Sequence, residues 1–243
     1  MVIDSTISRI SSKRPTQGFT LVELLVVIAI IATLASMGLI AAQTLRGRSK
    51  MTACASNLRN IGLAMHIYAM DNGTYPDTTH SQTADKAWIY QLESYLGKFD
   101  EVRICPADPM AKQRLANKAS SYILNNSVFV ADIDEMSDEP TRAFNKPSLL
   151  PDPANTILVF TISDRKPPYP GEDHTHSDHW SSWAAVLRDI SPDRHLRSSS
   201  KDSTKGSSNY LYADSSVQTH TAIEIKKHIT SGKNIGLIPG IRN

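Results

Sequence analysis

A long apolar run near the N-terminus constrains the fold of this chain more than any other feature. From Phe19 to Ala42, about twenty-four residues contain a single charged side chain, Glu23. At a rise of about 1.5 Å per residue, such a helix can cross a hydrocarbon core of about 30 Å. The run therefore predicts a membrane helix. A cleaved secretory signal peptide is the alternative, since basic residues precede the run and small residues occur near Ala32 to Ser36, but its apolar region would be about half as long.

The carboxylate of Glu23 is energetically unfavourable in a membrane helix unless it is paired. An unpaired carboxylate near the end of a lipid-facing helix costs about a few kcal/mol, so such a group usually has a partner. No basic residue lies within a helical turn of Glu23 after Phe19, and the sequence therefore predicts a partner from elsewhere. The α-amino group created by a cut between Gly18 and Phe19 is the simplest candidate.

The segment around this glutamate resembles the processing signal of type IV prepilins and type II secretion pseudopilins. It reads Gly18 followed by FTLVELLVVIAII. The resemblance implies that a prepilin peptidase cuts after Gly18 and that Phe19 becomes a methylated N-terminus. It also implies that Glu23 guides assembly by pairing with the N-terminal amine of a neighbouring subunit. A helix that only anchors the chain and never polymerises is the alternative.

A second helical pattern follows the apolar run. One narrow apolar seam is spaced by three and four residues and comprises Met51, Cys54, Leu58, Ile61, Met65 and Tyr68. The expected order is a leader at 1–18, a transmembrane and polymerisation helix at 19–43, its amphipathic continuation at 44–72 and a globular head at 73–243. The resemblance implies a pilin-like α+β fold, in which this long N-terminal helix packs on a C-terminal antiparallel β-sheet.

The two cysteines extend the resemblance. The residues from Cys54 to Met65, with a later Cys105-Pro106, are similar to large pseudopilin-like proteins and to the major pseudopilin of type II secretion. The resemblance places the head outside the cytoplasmic membrane, where disulfides persist. We therefore expect a Cys54–Cys105 disulfide, which would close a loop of about fifty residues and contribute about 4 kcal/mol. The alternative is Cys54 as a small core residue with Cys105 free.

The head itself allows a coarser prediction. Apolar and β-branched patterns predict a helix at 84–96, strands at 121–130 and 155–162, and a C-terminal hairpin at 209–220. His195, Asn209 and Asp214 match residues of the same family, and we expect Asp214 to cap the hairpin turn. Ser215 stands where the family has glycine. Because a positive φ there would cost about 1 kcal/mol, we expect this turn to use a different geometry.

Two polar tracts are candidate metal sites. His174, His176 and His179 lie within seven residues that also contain two aspartates, and with Asp214 they could hold zinc or another divalent ion. A surface loop without a metal is the preferred interpretation. An acidic loop precedes Pro140 and contains Asp132, Asp134, Glu135, Asp138 and Glu139. Its oxygen ligands could bind calcium, but it lacks the glycine and terminal glutamate of an EF-hand loop. A solvated loop is therefore the preferred interpretation. No cofactor is predicted.

Charge and motifs argue against two function classes. The formal net charge of +2 resides entirely in the first eighteen residues, so a broad basic face for nucleic acid is not expected. The sequence has no Gly-x-Ser-x-Gly elbow, no phosphate-binding glycine-rich loop and no His-Glu-x-x-His motif. We therefore expect a protein that is not an enzyme.

Two functions remain. The first is a structural subunit of a type II secretion-like pseudopilus, whose partners are like subunits, a prepilin peptidase, the secretion assembly platform and the membrane. It would be a single-pass inner-membrane protein with its head in the periplasm or at the cell surface. The second is a pilin-like surface module whose head binds a ligand or glycan. The sequence names neither the secreted cargo nor the ligand.

Overall fold

The computed structural model describes residues 19–78, 83–130, 144–197 and 203–241, except for the side chains of 37–41 and 85. The chain divides into two compact units, with the boundary between Gln43 and Thr44. The acidic loop considered above for calcium, from Asp132 to Glu139, lies outside the described residues, as does the leader through Gly18.

Helix α1 runs over Leu21–Asn72. In the first unit, its apolar side chains from Leu21 to Leu34 are exposed to solvent. Across the described residues, no helix meets both the length and the apolarity that a membrane crossing requires. The predicted N-terminal helix is therefore confirmed, whereas the structure does not confirm that its first half is transmembrane.

In the second unit, α1 buries the predicted seam. Cys54, Leu58, Ile61 and Met65 are fully buried in one apolar cluster. A Cβ added at Gly62 would lie 2.8 Å from the Leu211 side chain, so the glycine allows the helix to approach the sheet closely. The helix ends where Gly73, with φ +80°, donates its amide to the carbonyl of residue 69.

The sheet has four strands in the order β1-β2-β3-β4, and every neighbouring pair is antiparallel. The strands are β1 Tyr122–Leu124, β2 Ile157–Thr161, β3 Ser207–Tyr212 and β4 Val217–Thr221. One face of the sheet packs in the cluster that contains α1, and the other packs against the C-terminal helices. Because both faces are covered, every residue of β1, β2 and β3 is buried. The α+β class with a C-terminal antiparallel sheet is confirmed.

The remaining helices are short. The α-helices are α2 Trp88–Gln91, α3 Phe99–Val102, α4 Ala111–Ala116, α5 Asn126–Phe129, α6 Trp183–Asp189 and α7 Ala222–Thr230. The 3-10 turns are Ala84–Lys86, Glu93–Tyr95, Pro147–Leu149 and Ser177–His179. The single helix predicted at 84–96 is wrong, because Ala87 is extended and Leu92 leaves the helical region, which divides the segment into three turns.

The predicted strand at 121–130 is too long. It ends at Leu124, because the Asn125 side chain accepts a hydrogen bond from the Ser127 amide and caps α5. The C-terminal hairpin is confirmed as β3 and β4. Asp214 Oδ1 accepts the Ser216 amide at 2.8 Å and caps the turn. The expectation of a different turn geometry at Ser215 is wrong, because this residue adopts a positive φ of +67° despite its Cβ.

Candidate functional site

The residues predicted for processing and assembly lie at the start of α1. Phe19 is 76% exposed, and Thr20 immediately precedes the helix. The Thr20 amide and hydroxyl donate to Glu23 Oε2 at 2.8 and 2.7 Å, and the Glu23 amide donates to the Thr20 hydroxyl at 3.2 Å. This reciprocal arrangement is a capping box. The inference that Glu23 must find its partner elsewhere is therefore wrong for the isolated chain, although the Thr-x-x-Glu spacing could have revealed the local one.

An apolar face extends from this capping box along the first unit of α1. Phe19, Leu21, Val22, Leu24 and Ile31 are each more than half exposed. Exposed apolar surface of this extent marks a contact with lipid or with another protein. The face carries one charged group, Glu23.

The histidine tract is built into the fold of its loop. His174 is buried, and its Nδ1 lies 2.8 Å from Asp173 Oδ1, whereas His179 is exposed beside Asp178. His176 is exposed, yet partial desolvation of its imidazole lowers the pKa of that ring, and its amide donates to Asp189 Oδ2 at 2.9 Å. The contacts of the tract are therefore those that hold the loop in its folded conformation.

Asp214 lies in the hairpin turn and serves as its cap. Among the described residues, neither Asp214 nor the three histidines of the tract belong to a group whose ligand atoms converge. One other set does converge, and it consists of Cys54, Cys105 and His195, whose ligand atoms all lie within 4.8 Å of one another.

This Cys-Cys-His cluster joins three separate parts of the head. Cys54 comes from the buried seam of α1, Cys105 follows α3, and His195 forms a backbone bridge with Ser207 at the start of β3. All three are buried, and His195 Nε2 lies 3.9 Å from Cys105 Sγ. The Tyr122 hydroxyl on β1 approaches Cys54 Sγ to 3.5 Å.

The surroundings distinguish the two sulfurs. Hydrogen bonding from Cys105, His195 and Tyr122 lowers the pKa of the Cys54 thiol. Hydrogen bonding to Cys54, together with burial, raises the pKa of the Cys105 thiol. Of the two thiols, Cys54 therefore loses its proton first, because the thiol of Cys105 stabilises the resulting charge.

Both cysteines are free thiols in the structure, so the predicted disulfide is not formed in it. The alternative from the sequence was Cys54 in the seam and Cys105 free, and both features are observed. The position of His195 beside the sulfurs was not predicted. In the sequence, His195 was identified only by its match to a family residue, and that match does not indicate which side chains it contacts.

A buried ion network lies beside the cluster. The Asp108 carboxylate accepts from Arg114 Nε at 3.0 Å, from the Ser121 hydroxyl at 2.6 Å and from the Met110 amide at 2.8 Å. Arg194 Nη1 lies 3.7 Å from the same carboxylate. The side chains of Asp108 and Arg114 are both fully buried, so this network fixes the loops around β1.

Comparison with known proteins supports the interpretation of the N-terminal segment. Residues 13–39 match the family described as the prokaryotic N-terminal methylation motif. The type II secretion system core protein G of Pseudomonas aeruginosa is 32% identical over 66 residues, which are 27% of this chain and 46% of that protein. The chain thus matches less than half the length of this relative. No solved structure matches the chain. The resemblance to prepilins and pseudopilins is confirmed.

Proposed function

We propose that the chain is a pseudopilin-like structural subunit. It is cut after Gly18, held in the inner membrane by residues 19–43 and assembled through that segment into a filament of the type II secretion kind. One observation carries the proposal: the N-terminal methylation motif coincides with an exposed apolar helix that contains a single carboxylate.

The apolar face explains how a subunit would be both stored and assembled. In the bilayer, lipid tails cover the face. When the subunit leaves the bilayer, about twenty apolar side chains require an equally apolar environment. The helices of like subunits stacked in a filament provide that environment, and this favours a polymer over a monomer outside the membrane.

The capping box explains how Glu23 would set the register of that stack. Both hydrogen bonds from Thr20 go to Oε2 of Glu23. Within the described residues, Oε1 has no hydrogen-bond donor, so it is available to the amine of a neighbouring Phe19. A buried carboxylate is tolerated when it is paired and is penalised when it is not, so the paired register is selected.

The other partners follow from the same proposal. A prepilin peptidase would remove the leader and methylate Phe19, and an assembly platform would extract the subunit from the membrane. The head would lie in the periplasm or at the cell surface. No catalysis is proposed for it.

The test compares two substitutions of the capping box. Glu23→Ala removes the carboxylate, and Thr20→Ala removes its partner within the chain but leaves the carboxylate in place. If Glu23 pairs with a neighbouring amine, Glu23→Ala leaves that amine unpaired in an apolar core at a cost of about 3–5 kcal/mol, whereas Thr20→Ala costs only about 1 kcal/mol as a lost cap. Crosslinking between subunits, measured at equal expression, should therefore fall strongly in Glu23→Ala alone.

Two results would contradict this function. Equal multimer yields in Glu23→Ala and the parent would show that the helix is a simple anchor. Equal losses in Glu23→Ala and Thr20→Ala would show that Glu23 acts only as a cap within its own chain. Membrane insertion should be unchanged in both variants, because neither adds a charge to the apolar segment.

Surface display of a binding head is a second candidate. The match to the secretion protein covers 27% of the chain, so most of the head lies beyond it. The head carries a cleft of about 870 Å³, where the Arg103 guanidinium lies 5.6 Å from the ring centres of both Tyr90 and Phe99. Deleting the chain from its host would separate the candidates: loss of protein secretion favours the pseudopilus, and loss of surface binding with normal secretion favours display.

A further inference from the structure

The Cys-Cys-His cluster is the best-defined group of ligand atoms in the described part of the chain. Its members come from α1, from the loop after α3 and from the segment that pairs with β3, so three distant parts of the chain meet there. Sulfur and imidazole nitrogen are ligands for thiophilic ions such as Zn²⁺ and Cu⁺. The proposal that follows does not depend on filament assembly.

The spacing of these atoms fits an ion at their centre. An ion about 2.3 Å from each sulfur and about 2.0–2.1 Å from a nitrogen holds its ligand atoms about 3.5–4.0 Å apart. Here the sulfur of Cys105 and Nε2 of His195 are 3.9 Å apart, and all three ligand atoms lie within 4.8 Å of one another. That contact is long for a hydrogen bond but ordinary for two ligands of one ion.

His195 gives an independent indication. Its side chain is 1% exposed, and its Nδ1 has no hydrogen-bond partner within the described residues. Its Nε2 faces the two cysteine sulfurs, and its contact with Cys105 Sγ is long, at 3.9 Å. A metal bound at Nε2 would replace this long contact by a coordination bond, and it would fix the imidazole proton on Nδ1.

The surroundings of the sulfurs suit bound thiolates. The backbone amide of Ala107 favours a thiolate at Cys105, and the Tyr122 hydroxyl approaches the Cys54 sulfur to 3.5 Å. Donors of this kind orient ligands and stabilise their negative charge. Two thiolates with a divalent ion carry no net charge, which favours Zn²⁺ in a buried site, whereas a set of three soft ligands also suits Cu⁺.

A largely apolar cleft of about 510 Å³ is lined by the chain neighbours of both cysteines, among them Ala53, Ile104 and Pro106. The cluster itself is closed to solvent, so binding of an ion requires a local opening, and we place that opening at this cleft.

We propose that Cys54, Cys105 and His195 bind one thiophilic metal ion, Zn²⁺ or Cu⁺, through two sulfurs and Nε2. The thiol protons are released to solvent on binding. The ion links α1 to the loop after α3 and to the segment that pairs with the start of β3. Its role is structural, because the cluster is closed to solvent. A disulfide between the same cysteines is the competing state.

The experiment uses the full-length chain, purified without a metal-binding tag in detergent and under anaerobic conditions. Zn²⁺ or Cu⁺ is added, excess ion is removed, and bound metal is counted by elemental analysis and native mass spectrometry. We expect about one ion per chain. His195→Gln should lower this to less than about one fifth, and His220→Gln, at a half-buried histidine on β4, should leave it unchanged.

The same samples distinguish the disulfide. A bridge needs only the two sulfurs, so His195→Gln would leave it intact. If thiol alkylation after denaturation shows a Cys54–Cys105 bridge with no bound metal, or two free thiols that bind neither ion, the proposal is overturned.

A second measurement protects against a variant that fails to fold. Co²⁺ added to the unmodified chain should give sulfur-to-metal charge-transfer absorption and should raise the melting temperature with increasing concentration. A Co²⁺ spectrum without a thiolate band, together with no rise in melting temperature when Cu⁺ is added, would overturn the proposal without any substitution.

Discussion

Substitution of Asp108 tests how much the buried ion network contributes to the stability of the second unit. Its carboxylate is fully buried and accepts hydrogen bonds from Arg114, Ser121 and the backbone of residue 110, at 3.0, 2.6 and 2.8 Å respectively. Asp108→Asn keeps the size of the side chain and removes its charge. The buried Arg114 guanidinium, whose own exposure is 0%, then loses its counterion.

The expected loss follows from these contacts. The amide keeps one acceptor oxygen, so one charged hydrogen bond is lost, at about 1.5–3 kcal/mol, and the guanidinium remains buried without a counterion. Breaking a buried ion pair in this way typically costs about 3–5 kcal/mol. For a unit of this size, each kcal/mol lowers the melting temperature by about 2–4 °C, so we expect a decrease of roughly 6–20 °C.

The matched control is Glu101→Gln. It makes the same chemical change in the pair Lys98–Glu101, whose side chains are 78% and 74% exposed. Exposed pairs contribute about 0–1 kcal/mol, so the control should melt close to the parent.

Trp88, Trp180 and Trp183 all lie in the second unit, so tryptophan fluorescence reports its unfolding in the full-length chain. If Asp108→Asn lowered stability by less than about 1 kcal/mol, or by no more than Glu101→Gln, the reasoning on the buried network would be refuted.

Three further predictions concern backbone strain, pH and processing. Gly206→Ala should destabilise the second unit by at least about 2 kcal/mol in urea unfolding, because φ is +125° and the new Cβ would lie 2.8 Å from a backbone carbonyl oxygen. Gly97→Ala, at a position with open space around it, should be nearly neutral. Equal losses of stability in the two variants would contradict the strain at Gly206. Burial lowers the pKa of His220, so its contribution to stability is present above the unfolded pKa of about 6.5 and is lost as pH falls toward the folded value. The urea midpoint should therefore fall more between about pH 7.5 and about pH 5.5 in the parent than in His220→Gln, and equal slopes would contradict the assignment. N-terminal sequencing of the envelope protein should begin at Phe19, and a start elsewhere, or an intact leader, would contradict cleavage after Gly18.

The sequence predicted those parts of the fold that depend on residues close together in the chain, namely the buried face of α1 and the C-terminal hairpin. The seam of α1 repeats every three to four residues, so its buried face could be identified from spacing alone. The C-terminal hairpin was predictable because two strand-forming runs flank a turn, and Asp214 and Ser215 fill the roles that the turn requires.

The remainder depends on contacts between distant residues. Cys105 and His195 are 90 positions apart, and no local pattern says that they meet. The histidine tract had the composition of a metal site, but His174 pairs with Asp173 and the His176 amide donates to Asp189 of α6. Glu23 has no basic residue nearby in the sequence, but its partner within the chain is a neutral group, the Thr20 hydroxyl.

Filament formation by this chain can be tested directly. The full-length chain would be overproduced with its prepilin peptidase and assembly proteins, and the material sheared from the cells would be examined by electron microscopy and intact mass measurement. We expect thin filaments whose subunit mass corresponds to a methylated chain beginning at Phe19, and we expect none in Glu23→Ala. Recovery of the processed chain only as membrane-bound monomers, in the parent as in the variant, would contradict the proposed function.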